Sequence, residues 1–210
     1  MPFDYKKEYK ELYRPKKTPT IINIDKINYL AVKGKGNPNE EDGEYQKALS
    51  VLYPIAYALK MSYKTDYKIN GFFEYVVPPL EGFWWQEDIK GVDLTNKDTF
   101  SWISVLRLPD FITIENFEWA KERVAKKKKL DCSKVEFLTI EEGLCVQILH
   151  VGPFDTEIES VNKMHSFIKQ EGYELDFSDH RKHHEIYLSD IRKVDSSKWK
   201  TVIRHPIKKL

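Results

Sequence analysis

The tract Trp102-Ile103-Ser104-Val105-Leu106-Arg107-Leu108-Pro109 returns near the other end of the chain as Trp199-Lys200-Thr201-Val202-Ile203-Arg204-His205-Pro206. Trp, Val, a branched aliphatic, Arg and Pro recur at the same internal spacing, about one half-chain apart. Similarity on that scale predicts a doubled structural unit rather than a short-period solenoid. A doubled unit has a seam, and pockets tend to form at seams.

Working outward from the two tracts, the same order of elements precedes each. Residues 20–32 are rich in Ile, Val and Tyr and read as strand up to the turn Gly34-Lys35-Gly36. Ala48, Val51, Leu52, Ile55, Ala56 and Leu59 recur at helical spacing, with Pro54 predicting a kink or a late start. Residues 72–77 read as a strand stopped by Pro78-Pro79, residues 83–86 as a return arm, 91–98 as a polar connection and 100–108 as strand. A helix over 114–127 ends in the run Lys126 to Lys129, a solvated turn favoured by the helix dipole. The second half then gives strand-like stretches on either side of Glu142-Gly143, a helix over 155–170, and strands over 184–188 and 198–205. The expected architecture is α+β: a lead-in of residues 1–19, then one domain over 20–207 made of pseudo-repeats at about 20–110 and 134–207. Each strand-helix-strand-strand unit would add to an antiparallel sheet with helices on one face and a ligand groove on the other.

A chain of 210 residues can bury one sizeable core. A net charge of +1 supplies no field to gather a polyanion, so nucleic acid is not an expected partner. Cys132 and Cys145 define no disulfide framework, and no apolar run reaches the roughly 18 residues of a membrane helix. With a polar, Lys-rich start, the expected setting is cytoplasmic, away from membranes. Aromatic residues make up 13% of the chain, material for core and for ligand walls alike.

The chemistry concentrates in His183-His184-Glu185-Ile186-Tyr187-Leu188. Strand alternation places Ile186 and Leu188 on one side and Glu185 and Tyr187 on the other. The aliphatic side is expected to meet the helices, which would turn Glu185 and Tyr187 toward the seam. A carboxylate among aromatic walls suits general-base work or the capture of a lipophilic cation; the same pattern also fits an ordinary solvent-facing strand. In Tyr75-Val76-Val77-Pro78-Pro79-Leu80-Glu81-Gly82-Phe83-Trp84-Trp85, two adjacent Trp on an extended segment cannot both face one core, so one is expected at a cleft or at the surface. The histidines show no metal-ligand spacing, and no Gly-x-Ser-x-Gly or phosphate-loop pattern is present. Neither a metal nor an organic cofactor is expected.

The doubled unit, the turn His150-Val151-Gly152-Pro153-Phe154 before a helix, and Glu185-Ile186-Tyr187 together resemble the GyrI-like small-molecule-binding superfamily. That superfamily includes gyrase-inhibitory proteins and the effector domains of multidrug-sensing regulators. Pro78-Pro79-Leu80-Glu81-Gly82-Phe83-Trp84-Trp85 is similar to stand-alone bacterial members associated with hydrolysis of cyclopropane-bearing DNA-alkylating compounds. The resemblance implies an aromatic groove with a carboxylate at its base. It carries catalytic roles to Glu185 and Tyr187 and ligand-binding roles to Trp84, Trp85 and Tyr75.

The expected function is binding of hydrophobic, aromatic or cationic small molecules, by a monomer, with hydrolysis of a strained ring as the enzymatic form. The alternative is a drug-sequestering module without turnover. A gyrase-inhibitory role would call for an acidic or apolar exposed surface, which the near-neutral charge balance does not support.

Overall fold

The computed structural model describes every residue except Lys90 and Leu94, so Leu94 of the expected connection over 91–98 lies outside the described residues. The chain forms an open antiparallel sheet of nine strands with five helices among the described residues, an α+β fold as expected. The strands are β1 (Thr20–Ile24), β2 (Ile27–Lys35), β3 (Leu80–Trp85), β4 (Ser101–Arg107), β5 (Glu136–Ile140), β6 (Gly143–Val151), β7 (Tyr173–Leu175), β8 (His183–Tyr187) and β9 (Lys200–Lys209). They lie in the order β1-β6-β9-β8-β3-β4-β2-β5, with β7 on β9. The helices are α1 (Tyr5–Glu8), α2 (Lys10–Tyr13), α3 (Glu44–Lys60), α4 (Ile114–Lys128) and α5 (Glu157–Gln170).

The order β6-β9-β8 mirrors β2-β4-β3, and the two sets meet where β3 pairs with β8. The repeated tracts do lie on equivalent strands, β4 and β9, but their Trp residues differ. Trp102 is buried within β4, whereas Trp199 precedes β9 and donates its indole N–H to the Val194 carbonyl at 2.8 Å.

The outer strands join the halves a second time. β1 pairs with β6 and β2 with β5 in one continuous register, Ile24 opposite Gly143 and Ile27 opposite Ile140. Residues 20–35 and 136–151 are therefore two bent strands that form one ribbon, interrupted at 25–26 and 141–142. Charged residues mark the bend, where Lys26 and Glu141 approach to 3.8 Å.

Helix α3 continues unbroken past Pro54; Ala48, Leu52, Ile55, Ala56 and Leu59 hold it on Leu30, Val32, Trp102 and Leu106. Packing across the sheet outweighs the one backbone bond that proline deletes. Helix α4 begins at a capping box between Thr113 and Asn116 and extends this core through Phe117, Ala120 and Val124. Helix α5 sets Met164 and Ile168 on Val146, Ile148, Ile203 and Ile207. All these strand residues share one face, so α3 and α5 lie side by side across it.

The other face is covered as well. Tyr5 and Tyr13 from the lead-in helices and Tyr75 pack on Ile186 and Val202. This reverses the expected facing of β8: Ile186 meets the lead-in, and Glu185 and Tyr187 point to the side of the long helices. Alternation fixes which residues share a side; which side is upward depends on what covers it. Residues 72–77 differ too. They pair only through one bridge, Tyr75 to Phe3, and their aromatic side chains wedge against Phe111 and the lead-in instead of adding a strand. β3 itself is the counterpart of β8.

Candidate functional site

At the seam, Gly82 sits opposite Glu185 and Trp84 opposite His183. Gly82 is required there: a Cβ would stand 2.5 Å from Trp84 Nε1 and 3.1 Å from Tyr187 Oη. The space it leaves lets Trp84 Nε1 donate to Tyr187 Oη at 2.9 Å. Tyr45 of α3 closes over them, its ring 5.4 Å from Trp84 and 5.1 Å from Trp102. Burial, then the adjacent Glu185 carboxylate, hold the Tyr187 phenol protonated far above its ordinary range, so its O–H is available to that carboxylate.

Glu185 is 8% exposed and begins a row of imidazoles. Its Oε1 lies 2.8 Å from His183 Nε2, His183 Nδ1 lies 2.7 Å from His205 Nε2, and His205 Nδ1 lies 3.0 Å from His165 Nε2. With Glu185 as the acceptor, the row is satisfied when each Nε2 carries hydrogen and donates toward Glu185 and each Nδ1 accepts. Burial, then the neighbouring His183 and His165, keep His205 neutral, well below the ordinary histidine range.

The first residue of α5, Glu157, adds a second carboxyl. It is 1% exposed, and neither oxygen has a hydrogen-bond partner among the described residues. Polar atoms of Glu157, His183 and Glu185 lie within 4.8 Å of one another. Burial, then repulsion from Glu185, raise the Glu157 carboxyl well above its usual range. Three such groups could share one cation or one proton. The direct bond between His183 and Glu185 already engages the atoms a cation would need, and we read the cluster as sharing a proton. Beside it opens a cavity of about 400 Å³ walled by Glu157, Val161, His165, Phe177, His183 and His205.

Below the sheet, a different buried network fastens the lead-in. His184 bonds Glu142 at 2.9 Å and Glu81 at 3.1 Å, and stacks on Phe83 at 4.0 Å. Arg204 reaches Gln147, Glu142 and the Leu12 carbonyl, while Tyr13 donates to Glu81 at 3.2 Å.

The structure thus brings Glu185, Tyr187 and Trp84 together. Trp85 points to the opposite face, with Lys182 Nζ 4.8 Å from its ring centre, and Tyr75 is buried on that same face among the lead-in aromatics. Glu157, His183, His205, His165 and Gly82 escaped the sequence reading. Glu157, Val161 and His165 do follow at spacings of four, which places them on one helix face, but Ile158, Val161, Met164, Phe167 and Ile168 gave that helix its apolar face and drew the reading. Adjacent His183 and His184 looked incompatible as partners because each serves a different face.

A model of the GyrI-like small molecule binding domain matches residues 17–208. Comparison with curated proteins gives no match. Among solved structures, a hydrolase from Listeria innocua is 47% identical, with a TM-score of 0.89 over 98% of this chain and 100% of that one. A conserved protein from the same organism is 48% identical, with a TM-score of 0.91 over the same shares. The C-terminal domain of EcmrR shares the fold at 15% identity, TM-score 0.56, over 92% of this chain and 98% of that domain. A match that spans the doubled unit from end to end, seam included, places the chain in the family of GyrI-like small molecule binding domains.

Proposed function

We propose that the protein binds flat, hydrophobic small molecules in the cavity beside α5 and hydrolyses those that carry a cyclopropane conjugated to a ring carbonyl. The observation that carries this reading is the Glu185 carboxylate, oriented by His183 beside Tyr187 and Trp84 and next to a cavity of about 400 Å³. Such a volume suits a drug-sized ligand. Glu185 orients the attacking water and takes its proton, Tyr187 stands beside the carboxylate where Trp84 fixes its hydroxyl, and Phe177 supplies an aromatic wall. Ring strain drives the reaction, so positioning suffices. The likeness to a Listeria protein described as a hydrolase supports turnover. The roles carried to Tyr75 and Trp85 would have to be exerted from the opposite face, so the proposal rests on Trp84.

The test is incubation with a duocarmycin-type cyclopropane compound followed by mass spectrometry of that compound. The expected result is a gain of one water, slowed about 10²- to 10⁴-fold in Glu185→Gln. An unchanged ligand mass with strong quenching of Trp fluorescence would instead establish a sequestering module, in which Glu185 serves as counter-charge for a cationic ligand.

A further inference from the structure

We propose that Glu157 is the general acid of this site, paired with Glu185 as its base, so that one proton circulates between the two carboxyls in each turnover. The inference rests on the hydrolase reading above and assigns the half of the reaction that reading leaves open.

Three observations carry it. Glu157 is among the residues that wall the cavity, and Glu185 lies beside it; both are buried, at 1% and 8% exposure. Both oxygens of Glu157 are buried without a hydrogen-bond partner among the described residues, on a residue that walls the cavity, so the carboxyl keeps its donor and acceptor capacity unspent. Two carboxyls this close and this dry cannot both ionise. The asymmetry of their surroundings decides which keeps the proton. Glu185 is engaged by His183 Nε2 at 2.8 Å, while Glu157 has no partner among the described residues, and burial, then repulsion from Glu185, keep Glu157 neutral. The other groups around Glu157 are Asp155 just before α5, His165 on it, Asp93 across the cavity, and Thr201 and His205 of β9. His150 of β6 is turned away toward Ser160 and the Pro153 carbonyl.

The step balances. Water gives one proton to Glu185 as its oxygen bonds to a cyclopropane carbon. The C–C bond breaks, and its electron pair passes through the conjugated ring to the carbonyl oxygen, which takes the proton of Glu157. Glu185 then returns its proton to the Glu157 carboxylate. One water has been added and both carboxyls are restored.

The test compares wild type with Glu157→Gln, an isosteric change, on a duocarmycin-type compound, reading kcat and KM separately. The variant is expected to lose about 10²-fold or more in kcat with KM nearly unchanged, and to lose the alkaline limb of the wild-type rate profile. Difference infrared spectroscopy at neutral pH adds a readout that needs no turnover: a protonated carboxyl band is expected in wild type and absent from Glu157→Gln. An active wild type with an equally active Glu157→Gln would overturn this inference alone, as would a missing carboxyl band. A wild type inert toward the compound would bring down the hydrolase reading and, with it, the acid role.

Discussion

Gly82 is a small residue with a large effect on the site. Adding one methyl in Gly82→Ala would force Trp84 and Tyr187 apart, since both stand within 3.1 Å of where it would lie. The expected cost is about 1–3 kcal/mol in stability, with larger losses in ligand affinity, measurable by denaturant titration and by Trp fluorescence. Tyr187→Phe removes the acceptor of the Trp84 N–H while keeping the ring that meets Phe154 at 5.7 Å. It should cost about 1–3 kcal/mol through the unpaired Trp84 N–H and lower turnover about tenfold or more, read from thermal melting and from rates at a temperature where the variant stays folded. At this scale the sequence was informative about company and silent about direction. Period-two alternation tied Glu185 to Tyr187, but Ile186 and Leu188 could equally well meet a lead-in as a long helix. Glu157 was hidden because an acidic residue in the first turn of a helix is ordinarily explained by the helix dipole.

Strands β8 and β9 carry histidines on both faces, and the two faces answer pH in opposite ways. Burial pushes His184 down, but Glu142 and Glu81 outweigh it and raise it above its ordinary value. Its contribution to stability is therefore complete below about pH 6.5 and fades as pH climbs through its higher folded value. Burial likewise pushes Glu142 up, and His184 and Arg204 outweigh that, so its contribution is present above about pH 4.3 and lost on acidification through a lower folded value. A double-mutant cycle on His184 and Glu142 should show coupling at pH 5 to 6 that weakens by pH 9. His205 is depressed, so its share of stability is present above about pH 6.5 and is lost as pH falls. Replacing it in His205→Gln should flatten the acid-side decline of the melting temperature. Most elements were legible because long apolar periods survive context. The stretch 72–77 was not: its aromatics fit a strand, yet both sheet positions it could have taken are filled by β3 and its neighbours.

For the whole molecule, the doubled unit was readable from two eight-residue tracts, and the α+β class followed from it. The role of the first sixteen residues was not, because nothing local marks a polar lead-in as the cover of a buried face. Removing residues 1–16 would strip the Leu12 carbonyl from Arg204, the Glu11 carbonyl from Gln147 and the Tyr13 hydroxyl from Glu81, and would bare Ile186 and Val202. Several kcal/mol of stability should disappear, visible as a large fall in the denaturation midpoint and as aggregation.

The bent ribbon has a mechanical consequence. Its two strands each begin in one half of the sheet and finish in the other, so the halves are riveted along their rim as well as at the seam. Two rivets on separate lines leave no axis about which the halves can swing. The protein cannot open as a clamshell does; a guest reaches the cavity from above the sheet, between α5 and Gly91, Val92 and Asp93.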